Sequence, residues 1–326
     1  IEISVVSIEE NSIGSDNKSP YVVPPGIPRD IDNTTIVQRR TNEQSLQVCI
    51  DDLSDGDGRA IYKESNFDLI NYGRIKMFIH AEPNNGDILS DNEINAFLRF
   101  GSDYENNYYE IELPLKITRP SLIDQNSSNL ARIIWPEENE INLSIEELLS
   151  LKSLRNRENI DINSPFSKIS SNGKYILRIK GRPSIGSILN FMIGVKNPLS
   201  EDRSSKSACL WFNELRLTDF DRTKGWAANT SLNLKLSDIG TVSSSLRYTS
   251  VGFGSIQQRI SERSRDEKLQ YDASANINLD KLLPSKTGIK LPLYVSSSTS
   301  IITPKYDPLD KDIPLSASIN SFDTRE

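Results

Sequence analysis

The last hundred residues of this chain repeat one pattern, an alternation of apolar and polar side chains over segments of about ten residues. In the first segment Leu232, Leu234 and Leu236 alternate with serine, asparagine and lysine. The four segments comprise residues 226–236, 242–248, 271–280 and 289–295. This period predicts strands with one apolar and one polar face, and about ten residues is the length a tilted strand needs to cross a bilayer.

A second soluble sheet pair would also alternate, so the polar positions have to decide between the two interpretations. They are almost entirely Ser, Asn, Asp and Lys, which favours strands facing a water-filled lumen. Aromatic residues lie at or near several segment ends, as in the interfacial girdles of membrane barrels, namely Trp226, Tyr248, Phe253, Tyr271 and Tyr294. The longest apolar run, residues 188–195, is far too short for a membrane helix. The pattern alone therefore favours β-barrel membrane strands over residues 222–326 and leaves a second soluble sandwich open as the alternative.

Residues 43–221 consist of strand-like runs separated by short turn clusters, among them Asp55-Gly-Asp-Gly58, a pattern that predicts a β-sandwich. One helix is predicted from Ser144 to Arg155, with Ser144 and Glu147 in the spacing of a capping box. Many strands with one lateral helix suit a jelly roll. The predicted strands are Ser45–Ile50, Arg74–His80, Ile94–Phe100, Tyr108–Leu113, Tyr175–Ile179, Ile188–Val195 and Ala208–Leu217.

Residues 1–42 begin with a short alternation and continue into the proline-rich stretch 21–28. Proline removes ladder donors, so this stretch is predicted to be an extended connector. The chain starts within a strand-like pattern and stops without terminal punctuation, so we interpret both ends as cuts in a longer protein. Three parts result: a strand and connector at 1–42, a jelly-roll-like sandwich at 43–221, and membrane strands at 222–326.

Composition and charge limit the function classes. The hydrophobic fraction is 36%, below the ~45–50% of typical globular domains, which fits sheets with one wet face. The formal net charge is −7 and the charges are interspersed, whereas a nucleic-acid partner would require a basic stripe. We therefore expect no nucleic-acid partner.

No recognised catalytic motif occurs in the chain: GxSxG, HExxH, a P-loop and GxGxxG are all absent. His80 is the only histidine and is expected at a strand end, in a structural or merely exposed role. We predict no enzyme, with no catalytic, cofactor-binding or metal-binding residues and no cofactor.

Two groups leave alternatives open. The acidic cluster at residues 51–57 invites a calcium interpretation, but it lacks the EF-hand glutamate, and a plain Asp-Gly turn is favoured. Cys49 and Cys209 fit two free buried thiols better than a disulfide. They are nevertheless expected to lie close together, since they fall in the first and last strands of the sandwich.

Aromatic residues of the sandwich support a rival function, a carbohydrate-binding surface module. Tyr104, Tyr108 and Tyr109 could form a stacking platform for a sugar, although the last two would point to opposite faces of one strand. Trp135 and Trp211 are predicted to be packing anchors of the core rather than ligand contacts.

Several long motifs together resemble the SprA/Sov family, the giant outer-membrane translocon of the type IX secretion system, whose members also serve gliding motility. The likeness spans nearly the whole chain and weakens in the Asn/Ser-rich patches 11–18, 124–129 and 159–164. The motifs are Tyr21-Val-Val-Pro-Pro-Gly26, Asp30-Ile-Asp-Asn-Thr-Thr35, Asn42-Glu-Gln-Ser45, Asp55-Gly-Asp-Gly-Arg-Ala60, Tyr108-Tyr-Glu110, Trp135-Pro-Glu-Glu-Asn139, Trp211-Phe-Asn-Glu-Leu-Arg-Leu-Thr-Asp-Phe220, Gly225-Trp-Ala-Ala-Asn229, Gly252-Phe-Gly-Ser255, Arg259, Ser261-Glu-Arg-Ser264 and Gln270-Tyr-Asp272.

The resemblance implies a single-chain barrel of about 36 strands in the outer membrane of Bacteroidetes-type bacteria. It further implies passage of folded cargo proteins, a shuttle porin and a periplasmic plug as partners, and contact with outer-membrane lipid. The family has no short catalytic motif, so no site residue is transferred. Outer-membrane barrels have short periplasmic turns and longer outer loops. The tight turn at 237–240 is therefore expected in the periplasm and the long segment 252–268 outside the cell. The sandwich joins the first strand at Trp226, at the end opposite the tight turn, so it is expected on the cell surface.

Overall fold

The computed structural model describes residues 1–15, 17–32, 39–258, 262–284, 288–316 and 318. Residues 33–38 of the predicted connector and 259–261 of the predicted long loop lie outside these ranges. The described residues cluster into two compact units, Ile1–Asp221 and Arg222–Glu326. The predicted three-part division of the chain stays a prediction.

A five-stranded antiparallel sheet forms one layer of the first unit, in the order β1-β4-β13-β6-β9. Its edge strand β1 is formed by the N-terminal alternation and pairs with β4. The strands are β1 (Glu2–Ser7), β4 (Gln44–Leu53), β6 (Tyr72–Pro83), β9 (Ile141–Ser144) and β13 (Lys206–Phe220).

A six-stranded antiparallel sheet forms the other layer, in the order β10-β11-β8-β7-β12-β5. The two layers are called the sandwich below. The strands are β5 (Gly58–Phe67), β7 (Asn95–Gly101), β8 (Tyr108–Pro114), β10 (Phe166–Ile169), β11 (Ile176–Lys180) and β12 (Ile188–Lys196).

One large apolar core lies between the two layers and takes side chains from both. Strand β6 shows how the alternation builds it, since Ile75, Met77 and Ile79 face this core while Phe78 belongs to a second cluster on the opposite face. Burying a side chain of this size contributes roughly 1.5–3 kcal/mol, so the alternating strands fix which face turns inward.

The second, smaller cluster covers the outer face of the five-stranded sheet. It joins Tyr21 of the proline-rich stretch to Trp135 and Trp211, all of them buried. The Trp135 indole donates to the Val22 carbonyl at 2.7 Å. The proline-rich stretch, which contains no strand, therefore straps this face of the sheet.

The first unit contains the helices α1 (Ile8–Asn11), α2 (Leu130–Ile134) and α3 (Ile145–Arg157). The longest, α3, starts after Ser144 as predicted, but the predicted capping box is wrong because Ser144 makes no side-chain cap hydrogen bond. The Glu147 carboxylate instead accepts hydrogen bonds from the backbone N–H and hydroxyl of Ser171. Glu147 thus ties the helix to the turn before β11. Short 3-10 helices lie at Pro120–Leu122, Glu137–Asn139 and Leu279–Leu282.

The second unit contains a four-stranded antiparallel meander in sequence order. Its strands are β14 (Ala227–Leu236), β15 (Gly240–Thr249), β16 (Asp266–Asn278) and β17 (Pro292–Pro304). A two-stranded ribbon, β2 (Ile31–Asp32) with β3 (Arg39–Arg40), completes the described strands. The prediction of a β protein is confirmed in its coarse form: the chain is mostly β, built from open antiparallel sheets.

Candidate functional site

The four-stranded sheet of the second unit has two chemically opposite faces. Residues directly opposite each other in neighbouring strands share a face, so the pairing register assigns every side chain. Leu234 lies opposite Val242, which lies opposite Ala275, which lies opposite Val295. Asn233 precedes Leu234 in β14 and so points to the other face of the sheet, where it begins a row of polar side chains.

The apolar face carries large side chains that no described residue of this unit covers. Leu232, Leu234 and Leu236 of β14 are all exposed, and Leu234 retains 45% of its accessible surface. Exposed partners in the neighbouring strands continue this face, among them Leu246, Tyr271, Leu293, Val295 and Ile301. Since soluble proteins rarely expose large contiguous apolar patches, this surface is built for a partner or a lipid.

The polar face is lined by hydroxyl and amide groups around a shallow groove of about 320 Å³. Its central rows run from Ser231 and Asn233 through Ser243 and Ser245 to the serines of β17. Asp272 is the one carboxylate among the described residues that line the groove. It accepts hydrogen bonds from Ser298 at 2.6 Å and from Gln270 at 3.1 Å. Such a face is well solvated and needs no covering.

Aromatic side chains lie near one end of this sheet. Trp226, just before β14, stacks on Tyr248 with ring centroids 4.5 Å apart. Tyr271 lies opposite Leu246 and shares the apolar face. Aromatic rings with a polar end are enriched where an apolar slab meets water. Among the described residues, no helix has the length and apolar character needed to cross a membrane.

The aromatic residues that were candidates for a sugar platform do not form one. Tyr109 is fully buried in the sandwich core, and Tyr108 is buried beneath Arg99, whose guanidinium lies 4.1 Å from the ring centroid. Tyr104 stacks on Tyr62 instead, with centroids 5.2 Å apart. Trp135 and Trp211 are each only 2% exposed, so both are packing residues.

His80 lies within β6 rather than at a strand end, and it is fully buried. Its Nδ1 is 2.8 Å from the Ile134 carbonyl, and its Nε2 is 3.4 Å from Glu82 Oε2. Burial alone would raise the pKa of Glu82, but hydrogen bonds from His80 and Ser19 outweigh burial and hold this pKa below its usual range. The pair anchors α2, and the segment at Ser19 just before the proline-rich strap, to the sheet.

A network of charges occupies the side of the six-stranded sheet that faces away from the core. Glu110 and Glu112 are both buried, and Arg178 forms ion pairs with both. Arg99 bonds Glu110, and Lys196 reaches Glu112 at 3.2 Å. Burial of charge requires such pairing, so the network is consistent with a structural role.

The acidic cluster forms hydrogen-bonded turns. Asp55 accepts from Ser200, and Asp57 pairs with Arg59. In the part of the chain that the structure describes, no three His, Cys, Asp or Glu residues are grouped to hold a metal ion.

The two cysteines were predicted to be near each other, and the interpretation as free thiols is wrong. Cys49 and Cys209 form a disulfide, with their Cα atoms 4.0 Å apart. The bond joins β4 to β13, which are neighbours in the five-stranded sheet.

Comparison with known proteins adds one positive finding. A family model described as a motility related/secretion protein matches residues 1–319, nearly the whole chain. No curated protein matches the sequence.

Proposed function

The chain belongs to the SprA N-terminal family of motility-related and secretion proteins, and from this membership we propose that it is a fragment of the outer-membrane translocon of type IX secretion that also serves gliding motility. The family description names motility and secretion and no catalysed reaction. In this proposal β14–β17 are four strands of a large outer-membrane barrel, and the sandwich is a jelly-roll-like domain inserted between barrel strands.

The observation that carries the proposal is the four-stranded sheet with its opposite faces. An exposed apolar face of leucine, valine and isoleucine suits contact with lipid chains, whereas the serine- and asparagine-rich face suits a water-filled lumen. Edge strands of such a sheet would expose unpaired backbone groups to lipid, so the sheet requires further strands on both sides. A fragment of a larger barrel meets that requirement.

The disulfide supports a location outside the cytoplasm. Disulfides form and persist in oxidising compartments such as the periplasm and the cell surface. We further propose that the sandwich lies on the extracellular side, and that secreted cargo, a shuttle porin and a periplasmic plug subunit are the partners. Protease added to intact cells should then cut within 43–221 or 252–268 and spare 237–240. Protection of 43–221 and 252–268 until the outer membrane is permeabilised would place the sandwich in the periplasm.

Two adjacent serines give the sharpest test of the membrane assignment. Ser244 lies between Leu232 and Ala273 on the apolar face, and Ser243 lies between Asn233 and Ser274 on the polar face. A photo-activatable amino acid placed at 244 in the full-length protein in cells should attach to lipid, and one placed at 243 should not. Equal lipid labelling at both positions, or none at 244, would contradict the proposal.

A further inference from the structure

A second cavity lies in the first unit and is lined by residues of that unit. It has a volume of about 490 Å³ and lies between the loop after β6, the segment after β8 and the N-terminal residues Asn17 and Lys18. Small-molecule sites in proteins fall in the range of about 300–1,000 Å³. The cavity is therefore large enough for a ligand of one or two rings.

The longest wall of this cavity is held rigidly in place. The Asn84 N–H donates to the Ser207 carbonyl at 3.1 Å, and the Ser207 N–H donates back to Asp87 Oδ2 at 2.6 Å. The side-chain amides of Asn84 and Asn85 both donate to Asp51 Oδ1, at 2.7 and 2.6 Å. These bonds tie the loop to β13 and β4, so a ligand would meet a preformed surface with little ordering cost.

Two cations line the cavity without a carboxylate partner. Lys18 and Arg119 are exposed, and neither forms an ion pair with any of the described residues. In a chain of net charge −7, two cations with no ion pair among the described residues and one carboxylate, Asp87, give this cavity a locally positive lining. A guanidinium binds carboxylate or phosphate through two parallel hydrogen bonds, and an ammonium adds a point charge.

The rest of the lining favours a larger organic ligand over a bare inorganic ion. Asp87 contributes a carboxylate, which repels an anion but accepts hydrogen bonds from hydroxyl groups. Ile88, 86% exposed, offers an apolar surface of the kind that packs against a sugar ring. A ligand that uses all of these groups carries an acidic group, several hydroxyls and an apolar ring face.

We propose that this cavity binds a sugar bearing a carboxylate or phosphate group. The acidic group lies at Lys18 and Arg119, the hydroxyls donate to Asp87, and the ring packs on Ile88. This site is independent of the proposed translocon function, because it uses residues of the first unit alone.

Calorimetric titration of the full-length protein, purified in detergent, tests the site, with galacturonic acid and glucose 6-phosphate as probes. Both should bind with an affinity at least about ten-fold higher than that of galactose or inorganic phosphate. The variants Arg119→Gln and Lys18→Gln should each weaken binding about ten-fold, while Lys168→Gln, which removes an exposed cation on β10, should not. Their unchanged melting temperatures would show that the fold is intact.

Several results would overturn the proposal. Inorganic phosphate binding as tightly as the acidic sugars would reduce the cavity to a simple anion site. Galactose binding as tightly would remove any role for the two cations. Absence of binding by both acidic sugars, or full binding by the double variant of Lys18 and Arg119, would remove the site altogether.

Discussion

Cys209 lies directly opposite Cys49 in the antiparallel ladder between β13 and β4, and a disulfide bonds the two residues. Their separation in sequence is 160 residues, and all of strands β5 to β12 lie between them. The bond therefore closes a loop that contains most of the sandwich.

Removing this bond should destabilise the sandwich substantially. A cross-link over so long a loop stabilises by about 5 kcal/mol in the chain-entropy model. We expect the double variant Cys49→Ser/Cys209→Ser to lose an amount of this order in urea unfolding of the first unit. Dithiothreitol should produce a comparable loss in the wild type and none in the variant. If dithiothreitol left the free energy of unfolding of the wild type unchanged, the bond would not form in solution.

The two buried tryptophans should be essential to the packing of the sandwich. Trp135→Ala and Trp211→Ala should each lower the free energy of unfolding by ~3–5 kcal/mol, since each leaves a large cavity in the cluster under the strap. Trp226→Ala is the control, because that ring belongs to the second unit and is 56% exposed. Losses below about 1 kcal/mol for both buried positions would show that the strap does not seal this face.

Stability of the first unit should fall in acid partly through Glu82. Its pKa lies below the ordinary value of 4.5, so the folded state binds the proton less tightly than the unfolded chain does. The stabilisation is present above pH 4.5 and is lost as the pH falls through the lower folded pKa. Glu82→Gln should flatten the decline of the unfolding free energy between about pH 5 and pH 3. Parallel declines in wild type and variant would show that Glu82 is not linked to acid unfolding.

Adjacent positions on β14 should differ sharply in their tolerance of charge. Leu234→Arg places a guanidinium on the apolar face, which costs ~2–4 kcal/mol near a bilayer midplane, whereas Asn233→Arg places it on the polar face. In the full-length protein, Leu234→Arg should lower the amount of protein assembled in the outer membrane, and Asn233→Arg should leave it near the wild-type level. Equal effects would mean that the apolar face does not meet lipid.

Strands that bury one face could be predicted from the sequence, because burial forces the alternation that a sequence displays. β6 and β13 are examples, although both extend further than predicted. β5 was not predicted, because much of it is exposed on both faces and its sequence shows little alternation of apolar and polar residues. β9 and β10 were missed because each has only four residues.

The pairings between distant residues were beyond sequence reasoning. Proximity of the cysteines followed from their positions in the first and last strands, but bonding depends on a register that no local pattern specifies. Glu147 had the spacing of a capping box and bonds Ser171 instead, a partner that tertiary packing supplies. The cavity at Lys18 and Arg119 assembles from three separate loops, and none of them carries a motif.

The ladder between β4 and β13 also determines how the sandwich bears mechanical load. Strand β4 begins at Gln44 and strand β13 ends at Phe220, and Leu46 lies opposite Phe212, so the start of β4 and the end of β13 lie on the same side of the disulfide. Tension applied to these flanking segments peels the ladder apart one residue pair at a time and stops at the Cys49–Cys209 bond. The chain between the two cysteines, which contains strands β5 to β12, then carries no tension, because the covalent bond bypasses it.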